Sequence, residues 1–314
     1  MSLTSFLNRP DPKTLFSYYV KDPQRKLEGK LRAPSLSKNY NLVGIAFDYL
    51  LRFNLQYRFP KAITQKWVAE IACDLMEYLL PPILEEDSED VINYEESLSE
   101  EDLLHSLNYM EAKEELGIAK MNHQMYLLDG VLRDDLLRSA LVLAQLDFVF
   151  REKYFPKNFG EVGPQDIQDL RNLINIVDFS KFQPRNTCIL NPTFHEASML
   201  VGGADADLVI DECLIDIKTV KDLLVKREWI HQLVGYYTLG KIGGIGPERM
   251  EGEMIKNVGI YFSRYGILEL FNIKELIDLN KLPNFIGMLK IMAKTEYPEE
   301  YNKFLRMTEN KTHK

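Results

Sequence analysis

Gly202 to Lys221 (GGADADLVIDECLIDIKTVK) sets charged side chains inside an apolar run. Asp205 and Asp207 precede one short aliphatic stretch, while Asp216 and Lys218 interrupt the next, LIDIKTV. Aliphatic runs on either side of a two-residue acidic break, Asp211-Glu212, predict a β-hairpin. In that hairpin Ile210 faces Cys213, Asp207 faces Asp216, and Asp205 faces Lys218. Side chains alternate across a strand, so these charged groups share one face. Directly opposed Cβ atoms lie about 4.5–5.5 Å apart. The other face, Leu208, Ile210, Ile215 and Ile217, is apolar and is expected to pack into the core. Two facing carboxylates repel unless a cation lies between them. Their hard oxygens suit Mg²⁺ or Mn²⁺, which keep waters that substrate phosphates can displace. A neighbouring ammonium, Lys218, can orient a metal-bound water or steady charge developing on phosphorus. These residue types in this pattern suit phosphodiester hydrolysis. A DxK tripeptide alone is commonplace, but charge inside an apolar strand is costly unless paired or metal-bound.

The elements around this stretch change character near Asn186. From there β-branched runs predict strands over Thr193–Val201, Asp207–Ile210, Cys213–Val220, Val258–Phe262 and Ile267–Ile273. A helix over Asp222–Leu239 separates the third run from the fourth, and a turn at Arg264–Gly266 joins the last two. Upstream, apolar spacing predicts helices over Asn41–Phe53, Lys61–Leu80, Asp102–Gly117, Gln124–Tyr154 and Gln165–Val177. A polar helical tail follows from Lys274. The sequence reads as an α/β or α+β protein whose middle is nearly all helix.

Charge is unevenly spread. The net charge is −9, at face value unfavourable for nucleic acid. Residues 1–67 nevertheless carry twelve basic and four acidic side chains, and residues 68–117 carry one basic and sixteen acidic. Glu85 to Asp102 holds ten acids and no base, which predicts a solvated loop. Cys73, Cys188 and Cys213 are scattered, with neither a CxxC zinc pattern nor a disulfide framework, which suggests a reducing, cytoplasmic setting. Met1–Pro12 lacks the apolar core of a secretory signal, and no apolar run reaches the length of a membrane span. Gly240–Pro247 (GKIGGIGP) is glycine-rich, but it follows a helix and lacks GK[ST], so it reads as a helix-ending loop.

Taken together, GG-ADADLVID, LIDIKT and Gln232-Leu-Val-Gly-Tyr236 resemble the PD-(D/E)XK nuclease superfamily, in its RecB-like branch. The resemblance covers about 40–54 and 186–273. It implies a restriction-endonuclease-like core, with a central mixed β-sheet flanked by helices, plus a helical insertion. The chain would divide into a basic segment with the first core helix (1–60), the insertion with its acidic loop at 85–102 (61–185), and a nuclease-like core with a helical tail (186–314). Asp207 resembles the first metal ligand, with Asp205 competing, Asp216 the second, and the Ile217 carbonyl a further one. Lys218 resembles the catalytic lysine. Gln232 and Tyr236, four apart on one helix face beside Trp229, resemble the pair that supports the site and contacts DNA. The branch carries an upstream G-x-x-x-H whose His binds metal. Here Gly44-Ile-Ala-Phe-Asp48 puts Asp48 in that place, with Glu196 and His195 as rivals. Lys221, Lys226 and Arg227 are candidate phosphate contacts. The implied activity is a Mg²⁺- or Mn²⁺-dependent nuclease acting on nucleic acid, most simply DNA. The alternative is a non-catalytic nucleic-acid-binding or assembly protein that keeps the fold.

Overall fold

A computed structural model describes residues 2–80 and 99–312. The chain is α+β, with a five-stranded mixed sheet flanked by helices. It divides into two units. The first comprises Met1–Ser35, Arg58–Gln65 and Asn175–Lys314, and the second Leu36–Tyr57 and Lys66–Ile174. The division differs from the three consecutive segments read from sequence. The helix around Gly44 belongs to the helical second unit, and the first 35 residues belong to the unit that holds the sheet.

In the first unit the sheet runs in sequence order: β1 (Cys188–Leu190), β2 (Leu208–Ile210), β3 (Cys213–Lys218), β4 (Asn257–Phe262) and β5 (Ile267–Asn272). All neighbours are antiparallel except β3 and β4, which are parallel. A parallel pair needs a crossover, and the helix Arg227–Gly243 supplies it. The β2–β3 register pairs Leu208 with Ile215, Val209 with Leu214 and Ile210 with Cys213, as the acidic two-residue break requires. Asp211 takes a positive φ of 50° in that turn. Its carboxylate accepts backbone N–H groups from Arg185, Asn186 and Thr187, which fixes the approach to β1.

The segment Thr193–Val201 is not a strand. His195–Val201 forms a 3₁₀ turn, and only Thr193 bridges to Asp205. Alternation of apolar and polar residues there served a one-sided turn, with Ala197, Leu200 and Val201 buried. Gly202, at φ 74°, ends the turn in a left-handed conformation that glycine adopts without strain.

One face of the sheet carries Ile189, Val209, Leu214, Val258, Ile260, Phe262 and Phe271. Side chains of Leu3–Leu7 (α1), Pro10–Tyr19 (α2), the crossover helix and Leu282–Glu296 join them in one apolar core. The other face is buried as well, through Leu190, Leu208, Ile215 and Tyr261, with Phe182 edge-on to Tyr261 at 4.9 Å. The apolar face is buried as expected at Leu208, Ile210 and Ile215, and the face with the charged residues is covered too. Asp216 and Lys218 share with Leu214 the face that packs under the crossover helix.

The second unit is helical: Tyr40–Arg58 (α3, whose last residue falls in the first unit), Val68–Tyr78 (α4), Glu100–Asp129 (α5), Asp134–Glu152 (α6) and Pro164–Asn175 (α7). The sequence reading broke α5 at Gly117, yet the helix runs through to Gly130, whose φ of 68° ends it. Helix interiors tolerate a single glycine at about 1 kcal/mol. Most of the acidic run lies outside the described residues. Its end, Glu100 to Asp102, forms the first turn of α5, with a Ser99–Asp102 capping box. Carboxylates there oppose the helix dipole favourably. The first unit's remaining helices are Arg227–Gly243 (α8), Ile273–Leu276 (α9), Leu282–Glu296 (α10) and Pro298–Thr312 (α11). Among the described residues no helix is long and apolar enough to cross a membrane.

Candidate active site

The charged residues gather at the C-terminal end of β3, under α8. Asp216 and Lys218 are two apart on β3 and so point the same way. Lys218 Nζ lies 2.6 Å from Asp216 Oδ2. Asp216 Oδ2 is buried against this ammonium. Lys218 Nζ also donates to Gln232 Oε1 at 3.0 Å, and Gln232 Nε2 donates to the Tyr236 hydroxyl at 2.8 Å. Gln232 and Tyr236 are one turn apart on α8, with Trp229 on the same side. The ammonium lies 5.7 Å from the centre of the Trp229 ring, and Trp229 packs edge-on against Phe262. Phe194 stacks on Tyr236 at 5.5 Å, a support that sequence spacing did not reveal.

Asp207 reaches the same place by a different route. Side-by-side pairing of β2 and β3 stops at Leu208 and Ile215, one pair short of Asp207 and Asp216. Asn191 N–H holds the Asp207 carbonyl on the β1 side. The Asp207 carboxylate then crosses the gap and accepts the Ile217 backbone N–H at 2.5 Å. It thus occupies a ladder donor that the departing strand leaves behind.

The groups of the cluster act on one another electrostatically. Burial pushes the Asp216 carboxyl above its ordinary range, and the charge of Lys218 opposes that shift. Burial also raises the Tyr236 hydroxyl well above a free phenol, and the charges of Asp216, Asp205 and Asp207 add to it. Three carboxylates therefore act on one buried hydroxyl. Asp216 is 3% exposed, whereas Asp207, Lys218 and Gln232 are half-buried and reachable from solvent.

Two proposed upstream metal ligands have other occupations. Glu196 is buried, and Arg249 holds it in a bidentate pair at 3.1 and 2.9 Å. Asp48 lies on α3 in the second unit, where its Oδ2 meets Arg52 at 2.5 Å. His195 Nε2 sits 2.7 Å from the Gly246 carbonyl, which ties the 3₁₀ turn to the glycine-rich loop ending α8. Each of the three thus has a partner within the protein.

The candidate phosphate contacts occupy the approach to α8. The helix begins at Arg227 and not at Asp222, so Lys221 and Lys226 are on the preceding loop. All three basic side chains are exposed. Lys226 Nζ lies 5.2 Å over Trp229, and Arg227 donates to the Ser17 carbonyl at 3.0 Å.

Among the described residues no group of three or more His, Cys, Asp or Glu side chains is arranged to hold a metal ion. The groups that could serve as donors are the carboxylates of Asp207 and Asp216, with the Ile217 carbonyl next in sequence to Asp216. Asp216 Oδ2 is buried, with the Lys218 ammonium as its neighbour. Such a set suits a hard divalent ion that keeps several of its waters, as Mg²⁺ does with one or two carboxylates. It does not suit zinc, which asks for nitrogen or sulfur ligands. No protein-family model, curated protein or solved structure matches this chain.

Proposed function

We propose that the chain is a divalent-metal-dependent nuclease, with DNA as its substrate. The observation that carries this reading is the continuous contact chain Asp216–Lys218–Gln232–Tyr236, with Asp207 beside it. A purely structural core has little use for a carboxylate and an ammonium in a strand that continues from buried Leu214 and packs under α8. Truncating either partner would leave the other charge buried.

Asp207, Asp216 and the Ile217 carbonyl would hold the ion. When bound, it supplies Lewis acidity toward a phosphoryl oxygen and a more acidic water. The protein's own groups do the rest. With Gln232 accepting one N–H of Lys218 and Asp216 beside another, the ammonium keeps one proton to aim at an attacking water or a phosphoryl oxygen. Tyr236 fixes Gln232, and Phe194 fixes Tyr236, so the ammonium is held by a short rigid relay. Exposed Lys221 and Lys226 on the β3–α8 loop supply positive charge for a phosphate backbone.

The test is incubation with linear, circular and single-stranded DNA in Mg²⁺, Mn²⁺ or EDTA. The wild-type chain should cut only with metal, and Asp216→Ala and Lys218→Ala should not cut. Cutting that survives both substitutions overturns the mechanism. Absence of cutting on all substrates, with binding retained, points to the non-catalytic alternative.

A further inference from the structure

The second unit contains a cleft of about 770 Å³, larger than most single side chains or ordered waters need. Its walls are fixed by buried polar side chains. On α6, Gln145 accepts the Gly160 N–H and donates to the Glu161 carbonyl, at 2.8 and 2.9 Å, which holds the loop after Glu152 in place. On α7, Asp169 accepts the Leu36 N–H, and Asp166 Oδ2 accepts from the Asn39 side chain, which holds the segment leading into α3. The cleft between these loops is therefore built in advance of any ligand.

Its lining has a definite chemistry. Tyr40, Phe148 and Tyr154 supply aromatic surface. Tyr40 is 57% and Tyr154 62% exposed, so much of each ring is open to solvent. Glu152, Glu161 and Asp166 line the cleft against the single cation Lys38, so the lining carries a net charge of −2. Asp166 is 3% exposed, and its Oδ1 has no hydrogen-bond donor. A buried carboxylate oxygen left without a donor is costly to keep. Aromatic faces and carboxylates together attract a cation with an apolar body, while the same charges repel phosphates and carboxylates.

We propose that this cleft binds a small organic cation, an alkylammonium or guanidinium group carried on an apolar body. The ring faces of Tyr40 and Tyr154 take the body and the adjoining positive charge. The carboxylates of Glu152, Glu161 and Asp166 neutralise it. The inference does not depend on the nuclease reading.

Calorimetric titration of the full chain with phenethylammonium, 2-phenylethanol and phenylacetate at neutral pH separates charge from shape, since the three share one ring and a similar size. Saturable binding of phenethylammonium, at least tenfold tighter than the alcohol and with no binding of phenylacetate, is the expected result. Glu152→Gln, at an exposed position that leaves the fold alone, should weaken the cation about three- to tenfold and leave the alcohol unchanged. Tyr154→Ala should weaken it about five- to thirtyfold. Equal binding of all three ligands, preference for phenylacetate, no binding of any, or cation affinity unchanged in both variants would each overturn the proposal.

Discussion

Gln232 Oε1 accepts a hydrogen bond from Lys218 Nζ at 3.0 Å, joining the end of β3 to the second turn of α8. The carboxamide is neutral, so it orients the ammonium without neutralising it. Gln232→Leu should keep the fold and lower metal-dependent DNA cleavage about ten- to a hundredfold, as loss of a positioning contact does. Gln232→Glu should lower it too, because a second carboxylate beside Lys218 competes with Asp216 for the charge. Lys218→Met should lose more than either. Equal cleavage rates for wild type and Gln232→Leu would show that the relay does not serve the reaction.

Glu196 separates a structural acid from a metal ligand. Its two oxygens are both engaged by Arg249. Glu196→Gln should therefore retain wild-type dependence of cleavage on Mg²⁺ concentration, with a lower melting temperature as its main effect. A rightward shift in the Mg²⁺ titration would return Glu196 to the site.

His123 gives the protein an acid-sensitive point away from the site. Its ring lies 4.1 Å from Phe53 and 5.2 Å from Trp67, its Nε2 has no partner, and burial lowers its pKa from 6.5 to about 4. The folded pKa is below the unfolded one, so the unfolded chain binds a proton first on acidification. Stability from the neutral ring is complete above pH 6.5 and is lost as pH falls toward 4. The loss approaches about 2–3 kcal/mol. In urea melts at stepped pH, His123→Leu should flatten the decline over that window. His231, depressed to about 4 chiefly by burial, should sustain the remaining slope. A variant whose decline is as steep as that of the parent would contradict this account.

Two glycines should respond in opposite directions to alanine. A Cβ at Gly117, in the interior of α5, meets nothing within 4 Å, so Gly117→Ala should stabilise by about 0.5–1 kcal/mol through helix propensity. A Cβ at Gly252 would lie 2.5 Å from Lys241 N and 2.6 Å from Gly240 C. Those are backbone atoms that cannot rotate aside, and Gly252→Ala should cost about 2 kcal/mol or more. Thermal melts of the two variants, shifted in opposite senses, are the check.

Much of the hairpin was legible because its signals are local. A two-residue acidic break sets the pairing of Leu208 with Ile215 and Ile210 with Cys213, and alternation puts Asp216 and Lys218 on one face. The spacing of Gln232 and Tyr236 likewise follows from one turn of helix. Strand and helix boundaries were less legible. The pattern over Thr193–Val201 satisfies a strand and a one-sided 3₁₀ turn alike, and burial chose the turn.

By itself, then, the sequence determined the register of the hairpin, the order of the acids, the lysine and the helix pair, and the helical character of the middle. Tertiary structure decided which face of the sheet is covered by α8, and hence that Asp216 is buried beside Leu214 and Ile260. It also decided which acids are paired within the protein. Glu196 meets Arg249 across 53 residues of chain, and Tyr236 meets Phe194 across the fold. Local periodicity carries no information at that range, because such pairs form only when packing brings distant elements within hydrogen-bonding or ring-contact distance.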